Sequence, residues 1–157
     1  MDTVKLTVLA TVTPTACTPI PVNGGVIDFG TIPASSLSVS RMTMLQPQDT
    51  ALTVSCDAPT SFAVRFIDNR KPSVVSSGQP DQEFGLGSSR GKGIRHYLIS
   101  PSRFLADSKI ADEVRSRDGG ASWDGAVGLA LVEGSLYSFA PSGTLSPGTY
   151  QNATIDL

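Results

Sequence analysis

Cysteine, histidine and tryptophan are scarce: the 157 residues include two cysteines, one histidine and one tryptophan. One histidine and two distant cysteines cannot fill a four-ligand structural zinc site, and no metal or other cofactor is expected. Neither sign of charge dominates, with twelve Lys and Arg against fourteen Asp and Glu. That balance gives no reason to expect nucleic acid or an anionic membrane as the main partner. No stretch approaches the roughly eighteen consecutive apolar residues that a membrane-crossing helix needs. Helix signals are also missing. Fifteen Gly and eleven Pro punctuate the chain, and no amphipathic helical pattern survives a dozen residues without a breaker.

What remains is a pattern of period two. Val4, Leu6, Val8, Ala10 and Val12 fall on one face of an opening run, with Thr3, Lys5, Thr7, Thr11 and Thr13 on the other. Such alternation describes an extended strand with one buried face. Strand patterns recur at Val26–Ile32, Ala51–Cys56, Ser61–Asp68, Phe84–Gly87, Ile94–Ser100, Ser135–Ala140 and Asn152–Leu157. Turn signals lie between them, at Asn23-Gly24-Gly25, Ala58-Pro59-Thr60, Asp118-Gly119-Gly120 and Ser146-Pro147-Gly148. Seven or eight short strands at this spacing predict an all-β sandwich, and the length suits one domain over residues 1–157. Lys71–Gln82 reads as the longest loop. Phe104-Leu105-Ala106 is the one place where a short helical turn is expected.

Candidate chemistry is sparse. His96 sits inside a predicted strand, with no glycine-framed serine nucleophile in the sequence to serve it. Phe84-Gly85-Leu86-Gly87 lacks the third glycine of a dinucleotide fingerprint and suits a bulge or a close backbone approach. Asp68-Asn69-Arg70 suits an Asx-type turn at a strand end. Asp112, Asp118 and Asp124 are too dispersed for calcium. Asn152-Ala153-Thr154 matches the glycosylation triplet, a frequent chance pattern. Trp123 with Asp118 and Asp124 is a candidate ligand contact, since sugars stack on rings and bond to carboxylates; core packing is the competing reading of the indole. Arg90, Lys92, Arg95, Arg103, Lys109, Arg115 and Arg117 make residues 90–117 locally basic, either a solvated strand face or a glycan- or phosphate-binding patch. An enzyme is not expected.

Cys17 and Cys56 each lie in a β-patterned run beside proline, and either a disulfide or two buried thiols would fit; the bridge is the expected outcome. The run Val8–Pro19, with its alternating strand leading into Cys17-Thr18-Pro19, resembles the opening of chaperone–usher pilins. The ordered set of Cys17-Thr18-Pro19, Gly24–Gly30, Cys56–Pro59, Asp68–Arg70, Phe84–Gly87 and Gly119–Trp123 resembles an uncharacterised family of fimbrial-like proteobacterial proteins, over nearly the whole chain. The resemblance implies an immunoglobulin-like sandwich of pilin type, incomplete and completed by a donor strand from a neighbour. It implies a Cys17–Cys56 disulfide, a donor extension at residues 1–7 using Val4 and Leu6 with Val8 at its boundary, and a final strand carrying Ile155 and Leu157 beside the acceptor groove. The implied partners are other pilin subunits, a periplasmic chaperone and an outer-membrane usher, with a host or surface glycan as a further partner and no membrane insertion. The implied role is a structural or minor fimbrial subunit in adhesion, passing through the periplasm to the cell surface; the alternative is a lectin-like carbohydrate-binding sandwich at a fibre tip. No secretory leader pattern opens the chain, where Met1-Asp2-Thr3 runs straight into the strand. Met1 is expected to stand where a removed leader ends. Pilins end on an aromatic near the C-terminus, whereas Ile155-Asp156-Leu157 has none.

Overall fold

The computed structural model describes residues 15–125 and 130–157. The strands among them are β1 (Cys17–Pro21), β2 (Ala51–Thr60), β3 (Val64–Arg65), β4 (Phe84–Gly85), β5 (Ser88–Ser89), β6 (Lys92–Gly93), β7 (His96–Tyr97), β8 (Arg103–Ala106), β9 (Lys109–Ile110), β10 (Asp112–Ser116), β11 (Asp124–Gly125), β12 (Leu136–Ala140) and β13 (Tyr150–Asp156). The only helical pieces described are three single 3₁₀ turns at Val22–Gly25, Ala34–Ser36 and Lys71–Ser73. The protein is all-β, as the period-two runs predict.

Two sheets carry the core. The first has the order β1-β2-β13-β8-β9, the second β11-β10-β12-β3, and neither closes on itself. All their pairings are antiparallel. Their inner faces meet in one cluster. Phe104 and Ala106 of β8, Ala153 and Ile155 of β13, and Phe139 of β12 are buried together, with Phe62, Val64, Phe66, Tyr150 and Leu157 packed against them. Phe139 is the hub: its ring lies 5.1 Å from that of Phe104, 5.7 Å from Phe62 and 6.5 Å from Tyr150. Such tilted and edge-on pairs add to the burial of the rings themselves.

Alternation explains which residues point where. Along β13, Ala153 and Ile155 are buried while Asn152 is exposed and Thr154 half-buried. The outer face of the same ladder is polar, with Thr53 bonded to Thr154 at 3.0 Å and Ser55 to Asn152 at 2.9 Å. In the second sheet both faces are covered. Tyr137 and Phe139 are buried on one side of β12, Ser138 and Ala140 on the other.

Several expectations are corrected. Ala58-Pro59-Thr60 is no corner but the end of the ten-residue β2. Phe104-Leu105-Ala106 forms a strand, because Phe104 and Ala106 both reach the core only in extended backbone. Val26–Ile32 forms no strand at all. The longest strandless run is therefore residues 22–50, and Lys71–Gln82 is shorter. β13 sits at the centre of the first sheet, with β2 on one side and β8 on the other. Ile155 is fully buried, and Leu157 exchanges both backbone bonds with Thr50 at 2.9 Å. The final strand is thus paired on both sides along Ala153–Asp156.

Cys17 and Cys56 are directly opposite in the β1–β2 ladder and are disulfide-bonded. The neighbouring bond from the Asp57 amide to the Ala16 carbonyl, 3.0 Å, marks theirs as a non-hydrogen-bonded pair, the kind in which facing side chains come closest. The bridge fastens β1, an edge strand, to the sheet. A loop of this length confers about 4 kcal/mol in the chain-entropy account. Denatured, unreduced protein is expected to show no titratable thiol, and reduction should lower the denaturant midpoint by the equivalent of a few kcal/mol; two free thiols, or an unchanged midpoint, would contradict the assignment.

Candidate interaction surface

The segment between β1 and β2 breaks the rule that the rest of the chain obeys. From Ile20 to Leu45, eleven large apolar side chains are exposed, out of nineteen such residues in the described structure. Val26 is 66% exposed, Met44 77% and Val39 fully so. Every hydrogen bond made by residues 26–49 in the described structure is local: Val26 to Asn23, Gly30 to Asp28, Leu37 to Ala34, and Ser38 to Thr43 among them. Among the described residues, no hydrogen bond ties this stretch to either sheet until Thr50 meets Leu157. Scattered exposed apolar residues are ordinary, but a contiguous run of them marks an interaction surface.

Magnitudes support that reading. Fully burying one such side chain gains roughly 1.5–3 kcal/mol. Covering eleven half-exposed ones would release on the order of 10 kcal/mol as an upper bound. That exceeds what a disordered loop can be expected to forgo, and it suits a partner surface. A second incomplete feature is β3, an edge of the second sheet with only β12 beside it among the described residues. Phe62, Val64 and Phe66 alternate inward there, yet each stays half-buried, and Ile67 is 63% exposed.

The other predicted site residues are elsewhere. Val4, Leu6 and Val8, the expected donor residues, lie outside the described residues. Asp118 is absorbed in its own turn: its carboxylate accepts from the Ser116 hydroxyl at 2.7 Å, the Ser122 amide at 2.9 Å and the Ser122 hydroxyl at 2.5 Å. Those bonds hold its carboxyl far below the usual carboxylate range. Trp123 is half-buried at the same turn, and Asp124 is exposed in β11. Asp118 is therefore a turn-forming group, exposed at the surface beside Trp123.

Asp68-Asn69-Arg70 forms the expected Asx turn, with the Arg70 amide donating to Asp68 Oδ1 at 2.7 Å. The second carboxylate oxygen accepts from the Gly85 amide at 2.7 Å, and the Arg70 guanidinium donates to the Leu86 carbonyl at 3.2 Å. These bonds dock the Lys71–Ser73 turn on β4. The contact is so close that a Cβ on Gly85 would overlap the Arg70 carbonyl and the Ser73 hydroxyl. Gly85 thus serves a close backbone approach, whereas Gly87 adopts φ +105°, a conformation that L side chains rarely take.

One constellation was not legible in the sequence. Glu83 is fully buried and meets both Ser77 and His96. Glu83 Oε1 accepts from the Ser77 amide at 2.8 Å and its hydroxyl at 2.6 Å, and lies 3.7 Å from His96 Nε2. Burial opposes ionisation of Glu83, but donation by Ser76 and Ser77 and the charge of His96 outweigh it and bring the carboxyl to about 2. Here the carboxylate stands between serine and imidazole, and His96 Nδ1 faces the Val75 carbonyl at 2.8 Å. The serine hydroxyl therefore has no imidazole to take its proton, and the cluster reads as a clamp on the loop before β4. No local spacing announces it, because Ser77, Glu83 and His96 come together only through the β4–β7 pairing.

Glu113 is the remaining unusual group. Cross-strand partners share a sheet face, and Glu113 is opposite the buried Phe139. Its carboxyl therefore lies on the inner side of β10. Burial pushes it up to about 7, against the opposing pull of Arg115.

Comparison with known proteins gives family membership. Residues 6–89, more than half of the chain, match a family described as protein of unknown function (DUF1120), and the chain belongs to it. It is similar to the uncharacterized protein YhcF of Escherichia coli (strain K12), 26% identical over 188 aligned positions covering 99% of this chain and 79% of that one. It is also similar to the protein GltF of the same organism, 34% identical over 76 positions, 46% of this chain and 30% of that one. No solved structure matches it.

Two measurements test these assignments. Gly85→Ala should destabilise the protein by on the order of 2–3 kcal/mol, the cost of forcing backbone apart in a packed contact; a neutral change in chemical denaturation would refute the close approach. Glu113 binds a proton more tightly when folded, so stability should fall as pH rises from about 4.5 to about 7. Glu113→Gln should remove that part of the pH profile, and an unchanged profile would contradict its inward placement.

Proposed function

We propose that this member of the DUF1120 family is a structural or minor subunit of a bacterial surface fibre, assembled by taking up an extended strand from another subunit. The observation that carries the reading is the exposed apolar segment from Ile20 to Leu45. A surface this apolar is costly in water and calls for a cover. The open edge of β3, with its half-buried Phe62, Val64 and Phe66, offers unpaired backbone of the kind that strand addition uses. The alternating run Val4, Leu6, Val8 supplies apolar side chains on one face, the pattern a donor strand needs. The disulfide between β1 and β2 supports an oxidising destination, which agrees with passage through the periplasm to the cell surface. An immunoglobulin-like sandwich of pilin type is the fold that this reading requires. A periplasmic chaperone, an usher and other subunits are its partners.

The acceptor differs from the one that the resemblance implies. Because β13 is paired on both sides, the uptake site is assigned to the β3 edge and the segment after β1. Placing Asp at Val4 and Leu6 would put charges into an apolar acceptor, costing several kcal/mol per unpaired site. The double variant V4D/L6D should therefore fold but fail to assemble, read as loss of higher oligomers in size-exclusion chromatography. Normal assembly would exclude the donor role, and loss of folding would show that the segment belongs to its own sandwich.

A further inference from the structure

Eleven of the twelve Lys and Arg lie among the described residues, and ten of those eleven sit in backbone that is held. Arg65, Lys92, Arg103, Lys109 and Arg115 are in the paired strands β3, β6, β8, β9 and β10. Arg90 is in the tight turn between β5 and β6, and the Arg95 carbonyl accepts from the Leu86 amide at 3.3 Å. Arg70 and Lys71 belong to the turn docked on β4. Arg117 joins β10 to the turn gathered around Asp118.

Arg41 is the exception. It is exposed in the stretch between β1 and β2, with exposed Val39, Met42 and Met44 around it. Among the described residues, 38–49 make no backbone–backbone hydrogen bond. Only side chains hold the bend there. The Ser38 amide donates to Thr43 Oγ1 at 2.9 Å, and Ser38 Oγ accepts from the Ser40 and Arg41 amides at 3.3 and 3.1 Å. The Arg41 guanidinium makes no hydrogen bond and no ion pair among the described residues. An endopeptidase takes several residues of its target in extended form, so the target must first leave its own partners. At the other basic residues that step breaks a ladder or a docked turn. At Arg41 it breaks three exposed side-chain bonds. Where opening is fast, cleavage follows the population of the open form.

We propose that the Arg41–Met42 peptide bond is a processing site for a trypsin-like endopeptidase, one whose specificity pocket ends in a carboxylate, and that the Cys17–Cys56 disulfide holds the two products together. Water adds across the amide: its hydroxyl goes to the Arg41 carbonyl carbon, the C–N bond breaks, and the remaining proton goes to the new Met42 amine. Cys17 stays in the fragment ending at Arg41 and Cys56 in the one beginning at Met42, so the bridge and the β1–β2 ladder span the cut. The other described ladders lie wholly within the second fragment. Cleavage therefore leaves both sheets in place and turns the apolar residues 22–41 into an arm with a free end. The proposal does not depend on strand uptake, since it needs only the exposure of this segment in the isolated chain.

The test is limited trypsin digestion of the full, unreduced chain, read by mass spectrometry and by denaturing gels with and without reductant. The first cleavage among residues 15–157 is expected after Arg41, giving a nicked protein that stays in one piece until reductant separates its fragments. Loss of a short peptide after Lys5, outside the described residues, is told apart by its mass. The nicked, unreduced protein should keep the parent's far-ultraviolet circular dichroism. Arg41→Gln should slow the first cleavage about tenfold or more, because the carboxylate of the protease pocket is left unpaired, whereas Arg41→Lys should retain it. Both variants should keep the parent's denaturant midpoint, since the Arg41 side chain holds nothing in place. A first cut at Arg90, Lys92 or Arg117 would overturn the proposal, and so would resistance up to the unfolding transition. Fragments that separate without reductant, or a rate unchanged by Arg41→Gln, would overturn it as well.

Discussion

The structure depends on where β13 lies. The last described strand is inserted between β2 and β8, so residues about a hundred positions apart must pair before the first sheet exists. Thr154 joins Thr53 and Ala153 faces Val54 on one side, while Ile155 meets Phe104 on the other. The inner residues of this ladder, Ala153 and Ile155, form half of the common core with Phe104, and Phe139 comes down on them from the second sheet. Contacts of such sequence separation form slowly, because loop closure precedes the burial that rewards it. The Cys17–Cys56 bridge ties β1 to β2 and leaves that long closure unshortened.

Among the described residues, this arrangement leaves both sheets with open flanks. β1 and β9 end the first sheet, β11 and β3 the second. Natural sheets blunt their edges with charge, proline or short strands. β1 carries Pro19 and Pro21, and β9, β11 and β3 have two residues each. What sets β3 apart is its apolar flanks, with half-buried Phe62 and Phe66 on the inner face and exposed Ile67 on the outer. An edge of that composition is the one where the molecule is least protected against another chain, and the unsupported apolar segment after β1 has the same character.

Much of the fold was legible because burial writes itself as alternation. Val54 and Cys56, Tyr137 and Phe139, and Ala153 and Ile155 each announce a strand with one inner face. β8 and β10 were not legible. Arg103, Asp112, Glu113 and Arg115 interrupt any apolar pattern, and their strands exist because β13 and β12 lie beside them. Val26–Ile32 errs in the opposite direction: its composition favours a strand, but among the described residues no strand lies beside it for the backbone to pair with. The same reason hides the sites. Glu113 looks like one carboxylate in a polar run until its register opposite Phe139 turns it inward, and Glu83 meets His96 only through the β4–β7 pairing. Local chemistry such as the Asp68–Arg70 turn could be read directly, because it involves neighbours in sequence.

On the proposed reading, the segment from Ile20 to Leu45 and the β3 edge take up a strand from another chain. Residue-resolved amide hydrogen exchange on the full protein, monomeric and after assembly, tests it most directly. Fast exchange is expected in the monomer for residues 26–32 and for those amides of residues 61–67 that do not pair with β12, with strong protection of both on assembly and little change in β13. Protection of those residues already in the monomer, or exchange unaltered by assembly, would contradict it.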